Sequence, residues 1–247
     1  MNRVFLKKDQ KLEQNQQEVF LIDRPEVLDH LLNHLKIKTG SKLRVAIEQE
    51  CLADAEVLSI NENKVIVSIK NRIPAIHQPF TLLVASSRPP TMKKILEHGT
   101  TLGVKKFIFF PASLSQKSYL ESKIYEEKAI EDLLILGVEQ SGVFSKIPEF
   151  HKADHLSKAL EYARGEKILL SLNEDHPAQP LNQSFNKDKF STPNKELTLA
   201  VGPERGWTTE EEQIILENGF MPKKISKSIL RVEIATFIAL GQLQDCF

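Results

Sequence analysis

The chain has 247 residues, and its 33 Lys and Arg balance 33 Asp and Glu, so the formal net charge at pH 7 is zero. Apolar residues make up 41 % and charged residues 27 %, which excludes a disordered or fibrous chain and fits one large or two modest domains. The sequence has no apolar run of membrane-helix length, no signal-peptide pattern and only two distant cysteines, Cys51 and Cys246. We therefore expect a cytoplasmic protein without a membrane partner and without a metal.

The neutral sum hides an uneven distribution of charge along the chain. The net charge is +1 over residues 1–75, +4 over residues 76–130 and −5 over residues 131–247. A polyanion such as RNA would meet the most favourable field in the middle segment, which contains Lys93, Lys94 and Lys117. These lysines are candidate RNA contacts, and the alternative is that they lie on solvated helix faces.

Residues 1–75 are predicted to form a small β-rich domain. Short apolar stretches at 4–6 and 19–22 flank a Gln-rich loop, and a helix is expected to begin at Pro25 and run through Leu35 with apolar residues at helical spacing. Apolar and polar residues then alternate in three stretches, as they do in strands with one buried and one exposed face: 42–47, 53–60 and 64–69. The pattern favours a small antiparallel barrel or sandwich.

From residue 76 to 247, apolar strand-sized runs alternate with helical patterns. Strands are predicted at 81–85, 106–110, 146–150, 167–172, 196–201 and 223–226, and helices at 91–102, 122–138, 154–163, from 208 and from 231. This alternation is typical of an α/β domain with a parallel sheet covered on both faces. Such sheets bind ligands beyond the carboxyl ends of their strands, where the polar loop 173–194 is also expected.

Two segments at these strand ends have the composition of a binding site. In residues 202–207, Gly-Pro-Glu-Arg-Gly-Trp, Gly202 and Gly206 would let the backbone approach a ligand closely. The helix that follows could be capped by Thr208 with Glu211 or by Thr209 with Glu212.

The closing helix begins with Arg231 and Glu233 and then has no charge until Asp245. An arginine at the mouth of a parallel sheet can hold a phosphate or a developing oxyanion, whereas the alternative is a surface ion pair between Arg231 and Glu233. Phosphate-loop, dinucleotide, nucleophile-elbow and HExxH patterns are absent from the sequence.

Together these segments resemble the RsmE-type 16S rRNA (uracil-N3) methyltransferases of the SPOUT class. Residues 202–207 resemble the family's GPEGGF, and residues 229–235, Ile-Leu-Arg-Val-Glu-Ile-Ala, resemble its ILRxETA. Weaker similarities occur upstream in the right order: Arg3 and Phe5 match R-x-F, and residues 30–40, 101–104 and 139–142 match further short motifs. The resemblance therefore covers nearly the whole chain.

The resemblance implies a fold and an activity. Residues 1–75 would form a PUA-like RNA-binding β-barrel, and residues 76–247 a SPOUT methyltransferase domain whose parallel sheet ends in a trefoil knot. The protein would be a homodimer that uses S-adenosylmethionine to methylate N3 of a uridine in 16S rRNA or in the small ribosomal subunit. A SPOUT methyltransferase acting on another RNA position, and a non-catalytic RNA-binding or ribosome-assembly protein of this fold, are the alternatives.

If the chain acts in this way, roles can be assigned to particular residues. Arg231 would stabilise charge on the uracil oxygens or hold a phosphate, and Glu204 or Glu233 would serve as the general base or orient it. The cofactor-binding residues would be Leu172, Asn173, Val201, Gly202, Pro203, Gly206, Ile225, Ser226, Ser228, Ile229 and Leu230. Arg3 and Lys36 join Lys93, Lys94 and Lys117 as expected RNA contacts. The chain departs from the family pattern at Arg205 (Gly), Ser228 (Arg) and Ile234 (Thr).

Overall fold

The computed structural model describes residues 2–14, 17–172, 178–181 and 195–244, which form two compact units. The first unit runs to Ile76 and includes Val138–Ile147, and the second contains His77–Gly137 and the chain from Pro148 onward. The sequence-based division at residue 75 left residues 138–147 in the second domain. The structure groups them with the first unit because their backbone and side chains bind its N-terminal strand.

The first unit is built on a curled, six-stranded mixed sheet, a half-barrel. Its strands follow the order β1-β4-β5-β6-β3-β2, and all pairs are antiparallel except β1 with β4. The alternating pattern predicted antiparallel pairing alone, since the pairing of a three-residue strand leaves no mark on its sequence. The strands are β1 Val4–Leu6, β2 Lys11–Gln14, β3 Gln17–Ile22, β4 Lys42–Ile47, β5 Cys51–Asn61 and β6 Lys64–Ile73.

One helical segment closes the core of this unit. Helix α1, Pro25–Asp29, continues as a π-helical turn over His30–His34, as the apolar spacing predicted. It places Val27, Leu28 and Leu31 in the same buried cluster as the inward-facing residues of the sheet. Burying each of these side chains is worth about 1.5–3 kcal/mol.

The buried carboxylate of Glu139 fixes the N-terminal strand in this unit. Glu139 is 2 % exposed; its Oε1 accepts the Phe5 N–H at 2.9 Å and a hydrogen bond from the Arg24 guanidinium, and its backbone oxygen accepts the Arg3 N–H at 3.1 Å. A buried carboxylate is tolerated only when charge and hydrogen bonds compensate it, which these partners do.

Two of the expected RNA contacts lie in this unit. The Arg3 guanidinium donates to the backbone oxygen of Gly142 at 2.8 Å and to those of Val45 and Ala53 at 3.4 Å, so it is engaged in holding the fold. Lys36 is exposed and adopts a left-handed backbone with φ of 51° at the end of the helical segment. Lys36 therefore stays a predicted RNA contact, whereas Arg3 has a structural role in the described contacts.

The second unit confirms the predicted parallel α/β sheet. The described residues of this unit form seven strands in the order β11-β13-β10-β12-β7-β8-β9, and every neighbouring pair is parallel. They are β7 Phe80–Ala85, β8 Val104–Phe110, β9 Glu149–Lys152, β10 Glu166–Leu170, β11 Gln179–Pro180, β12 Leu197–Val201 and β13 Met221–Lys224. The helices among the described residues from 77 onward are α2 Pro89–Thr101, α3 Glu127–Ser141, α4 Leu156–Leu160, α5 Thr209–Glu217 and α6 Val232–Gln244; the last four residues of α3 belong to the first unit. The trefoil knot stays a prediction.

The predicted helix over residues 122–138 differs from the structure at its start. Two 3-10 turns, Lys117–Glu121 and Lys123–Tyr125, precede α3, and Ser122 and Glu126 have extended backbone angles. Tyr125 packs edge-on against Phe109, with ring centroids 6.1 Å apart. This tertiary contact accompanies an irregular backbone where the apolar periodicity alone predicted continuous helix.

The carboxyl ends of the central strands determine where a site can form. Leu170, Val201 and Lys224 end β10, β12 and β13, which are neighbours in the parallel sheet, so the segments that follow them emerge along one edge. Helix α6 packs against α2. The first turn of α6 therefore lies close to Lys94 of α2.

Candidate active site

A cavity of about 870 Å³ lies at the carboxyl edge of β10, β12 and β13. It is lined by the three segments that follow these strands, together with the first turns of α2, α5 and α6. The predicted cofactor-binding residues that line it are Leu172, Val201, Gly202, Pro203, Gly206, Ile225, Ser226, Ser228, Ile229 and Leu230. The predicted catalytic residues Arg231, Glu204 and Glu233 line the same cavity, while Asn173 falls outside the described residues.

The loop after β12 is anchored to helix α2 through Glu204. Its Oε1 accepts the backbone N–H of Arg88, the residue before the first turn of α2, at 3.0 Å. A carboxylate at a helix N-terminus is favoured because it satisfies a free N–H and complements the helix dipole. Gly206, with φ of +76°, supplies the left-handed turn that returns the loop towards α5.

Trp207 forms part of the cavity wall and supports the same loop. Its indole Nε1 donates to the backbone oxygen of Leu170 at 3.3 Å, and its ring stacks on Phe110 with centroids 6.2 Å apart. A Cβ added at Gly202 would lie 3.0 Å from Trp207 Cε2. The indole therefore requires the small size of Gly202, a residue at which the sequence predicted close approach of a ligand.

Helix α5 is capped by Thr208, which settles the two possible capping boxes. Thr208 Oγ1 accepts the Glu211 N–H at 3.2 Å, and Glu211 Oε2 accepts the Thr208 N–H at 3.1 Å. The other oxygen of this buried carboxylate, Oε1, accepts the Ser113 N–H at 2.7 Å. Glu211 thus joins the start of α5 to the segment after β8, while Thr209 is the first helical residue.

The charges at the start of α6 are paired differently from the alternative considered for the sequence. Glu233 is buried and its Oε1 lies 3.4 Å from Lys94 Nζ of α2. The Arg231 side chain is exposed in the cavity and forms no ion pair or hydrogen bond with any described residue. The Arg231–Glu233 surface pair is therefore wrong. Lys94 pairs with the buried carboxylate of Glu233, and its predicted contact with RNA stays a prediction.

Two cations of the cavity were not identified from the sequence. Lys223 on β13 is 6 % exposed, and burial lowers the pKa of its ammonium. Arg88 is exposed at the start of α2. The sequence showed only that Lys223 lies in a strand. The sheet register shows that its side chain is on the buried face.

Two of the lysines expected to contact RNA lie outside the cavity lining. Lys93 is exposed on α2, and Lys117 begins a 3-10 turn. Their contact with RNA stays a prediction.

The described part of the chain contains no group of three His, Cys, Asp or Glu side chains arranged to hold a metal ion. It also contains no helix with the length and hydropathy needed to cross a membrane.

Comparison with known proteins places this architecture in a family. Residues 75–244 match the family described as RNA methyltransferase domain. The ribosomal RNA small subunit methyltransferase E 1 of Borreliella burgdorferi is 30 % identical over 220 residues, covering 85 % of this chain and 86 % of that protein. The ribosomal RNA small subunit methyltransferase E of Treponema pallidum is 23 % identical over 220 residues, covering 85 % of this chain and 79 % of that protein.

A solved structure shows the same fold. The ribosomal RNA small subunit methyltransferase E of Neisseria gonorrhoeae, bound to S-adenosyl methionine, superposes with a TM-score of 0.74 at 20 % identity, covering 99 % of this chain and 97 % of that chain. The resemblance that the motifs at 202–207 and 229–235 indicated is thus confirmed by the whole chain. The protein belongs to the RNA methyltransferase domain family and, within it, to the ribosomal RNA small subunit methyltransferase E family.

Proposed function

We propose that this protein transfers the methyl group of S-adenosylmethionine to N3 of a uridine in 16S rRNA, within the free RNA or the small ribosomal subunit. Family membership supports an RNA methyltransferase. The observation that carries the proposal is the cavity around which the loops after β10, β12 and β13 converge with Arg231 and Glu204.

The residues of the cavity fit S-adenosylmethionine. Its volume of about 870 Å³ lies in the range of small-molecule sites. Leu170, Ile225 and Leu230 offer apolar surface for the adenine, and the backbone around Gly202 offers hydrogen-bonding groups. The buried ammonium of Lys223 supplies a positive charge for the carboxylate of the methionine part. When bound, S-adenosylmethionine supplies an electrophilic methyl group on a sulfonium.

The protein's own contribution is to place the uracil and to manage one proton. Glu204 accepts the N3 proton; its Oε1 is held by the Arg88 N–H, which leaves Oε2 for this role. Arg231 donates to a uracil carbonyl oxygen, where negative charge collects as the proton leaves. S-adenosylmethionine held by the loops after β10, β12 and β13 would supply its methyl group to N3, and its sulfur would be left as a neutral thioether. Glu233 acts as a positioning residue, since the contact of its buried carboxylate with Lys94 joins the start of α6 to α2.

We also propose the roles of the remaining parts. The first unit would act as a PUA-like RNA-binding domain, and Lys36 would be one of its RNA contacts.

The chain would form a homodimer through α6, because Ile234, Ile238 and Gly241 form an exposed, uncharged line along this helix. Gly241 has nothing within 4 Å of an added Cβ, so a second helix could approach closely there.

Binding and product analysis test the proposal. S-adenosylmethionine at 100 times its Kd should stabilise the protein by about 2.7 kcal/mol, measured as a rise in melting temperature. Incubation with unmethylated small-subunit rRNA and mass spectrometry of the nucleosides should yield 3-methyluridine. Another methylated nucleoside would favour a methyltransferase that acts on a different RNA position, an alternative motivated by the departures from the family pattern at Ser228 and Ile234. No cofactor binding at millimolar concentration would contradict the enzymatic proposal and favour a non-catalytic RNA-binding protein.

A further inference from the structure

A second cavity of about 350 Å³ adjoins the candidate active site. One side is formed by residues of the segment that follows β8: Ser113, Leu114, Ser115, Gln116 and Tyr119. The other side consists of Arg88, Glu204 and Arg205, all three of which also line the first cavity. The two cavities therefore share a wall that includes the carboxylate proposed to accept the proton.

We propose that this second cavity, which we call the acceptor pocket, receives the target nucleotide, with its base against Tyr119 and its phosphate against Arg88 and Arg205. The inference rests on the proposed function and adds the residues that would hold the substrate. Methyl transfer requires the accepting atom to lie in line with the methyl group, so the base must enter from a space adjoining the cofactor site. Among the described residues, the acceptor pocket is such a space.

The segment that forms the acceptor pocket is held by hydrogen bonds of its own. The Ala112 N–H donates to Ser115 Oγ at 3.3 Å, and the Ser115 N–H donates back to the Ala112 oxygen at 2.9 Å. The Ser113 N–H binds the buried carboxylate of Glu211, and the Tyr119 N–H donates to the Gln116 oxygen at 3.1 Å. The pocket is thus formed before a ligand arrives, which lowers the entropic cost of binding.

The side chains of the acceptor pocket match the chemistry of a nucleotide. RNA-binding sites commonly stack an unpaired base on an aromatic ring and read its edge with polar side chains. Tyr119 provides the ring and is half-buried, while the amide of Gln116 is exposed and binds no described residue. A planar base with two carbonyl oxygens can stack on the Tyr119 ring and accept a hydrogen bond from the Gln116 amide.

The shared wall carries the charge that a nucleotide phosphate requires. The guanidiniums of Arg88 and Arg205 are exposed and form no ion pair with any described residue, whereas Glu204 is the one carboxylate among the residues of the pocket. Two cations against one anion favour an anionic ligand, and a guanidinium fork suits phosphate oxygens. Arg205 stands where the family pattern has glycine, so this phosphate contact is a property of the present chain.

Photochemical crosslinking tests the location of the substrate independently of turnover. Small-subunit rRNA containing 4-thiouridine is irradiated with the protein, and the crosslinked peptide is identified by mass spectrometry. We expect crosslinks in residues 113–119, which are lost in Tyr119→Ala. Crosslinks confined to other segments, with an unchanged pattern in Tyr119→Ala, would overturn the acceptor pocket even if the wild-type protein methylates RNA normally.

Kinetics of matched variants provide the second measurement. Tyr119→Ala should raise the KM for RNA about tenfold, Tyr119→Phe should restore it, and the Kd for S-adenosylmethionine should not change. Arg205→Gly should weaken RNA binding severalfold, whereas Lys227→Gly, which removes an exposed cation that lines neither cavity, should not.

Failure of the acceptor pocket can be distinguished from failure of the proposed methyltransferase function. If Tyr119→Ala does not fold, Gln116→Ala replaces it, because the Gln116 side chain makes no hydrogen bond within the described structure. A wild-type protein that methylates no RNA would refute the proposed function, while crosslinks in residues 113–119 would still support the pocket. Equal RNA affinity of all variants and the wild type would refute the pocket.

Discussion

Glu204 Oε1 accepts the backbone N–H of Arg88 at 3.0 Å, although the two residues are 116 positions apart in the sequence. This contact holds the loop after β12 against the start of α2. It also fixes the carboxylate in the wall shared by both cavities. A general base must be held within hydrogen-bonding reach of its substrate, and this contact would provide that restraint in the role proposed for Glu204.

Glu204→Gln should separate the chemical role of this residue from its structural role. The amide oxygen can still accept the Arg88 N–H, so the melting temperature and the Kd for S-adenosylmethionine should stay unchanged. The turnover rate at neutral pH should fall by about 100-fold, which is the lower end of a general base contribution. Raising the pH should recover part of the rate, because uracil then loses its proton to solvent. Turnover close to that of the wild type would leave Glu204 as a loop anchor only.

Arg231→Ala should impair chemistry but not cofactor binding. Its guanidinium has no partner among the described residues, so its removal should cost little stability. Loss of one preorganised donor to a developing charge costs on the order of 3 kcal/mol, which corresponds to about 100-fold in turnover. Calorimetry with S-adenosylmethionine and single-turnover methylation would measure the two effects. Lys227→Ala is the matched control, and a similar loss there would show that only overall charge matters.

Substitution of Gly202 should act through Trp207. A Cβ at 3.0 Å from Trp207 Cε2 forces the indole or the loop to move, slightly for Gly202→Ala and more for Gly202→Val. We expect a graded change in the fluorescence of Trp207, the only tryptophan of the chain, with a parallel loss of cofactor affinity. A Gly202→Val protein with wild-type fluorescence and affinity would contradict the role assigned to this contact.

The two threonines at the start of α5 should differ in stability. Thr208→Ala removes the hydroxyl that caps the helix and should lower the free energy of unfolding of the second unit by about 1 kcal/mol. Thr209→Ala, one residue further, removes no capping bond and should change it by no more than about 0.5 kcal/mol. Urea denaturation followed by Trp207 fluorescence measures both. Equal effects would mean that the cap contributes nothing measurable.

The proposed dimer should depend on the exposed line of α6. Ile234 and Ile238 are 42 % and 37 % exposed, and a glutamate at either position would place a charge in the interface. Light scattering should give twice the chain mass for the wild type and the chain mass for Ile234→Glu with Ile238→Glu. Ile214→Glu, on the exposed side of α5, is the control. A wild-type monomer at micromolar concentration would contradict the proposal.

The local sequence determined most of the secondary structure, because the features that specify it are local. The predicted strand at 42–47 coincides with β4, and the strand at 81–85 differs from β7 by one residue at its start. Alternation of apolar and polar residues indicates the first of these strands, and an apolar run of strand length indicates the second. The motif segments could also be located, since glycines and an isolated Arg–Glu pair at strand ends stand out in the sequence itself.

Which residues become partners was decided only by the tertiary structure. Arg231 and Glu233 are two residues apart, yet Glu233 pairs with Lys94 from another helix. Glu139 lies in a stretch that the sequence pattern assigned to the α/β domain, yet it belongs to the first unit and binds the Phe5 N–H there. The partners of an ion pair depend on which surfaces the folded chain brings together. A buried carboxylate pairs with the cation that packing places next to it. No periodicity in the sequence encodes that choice, because burial and approach are properties of the assembled fold.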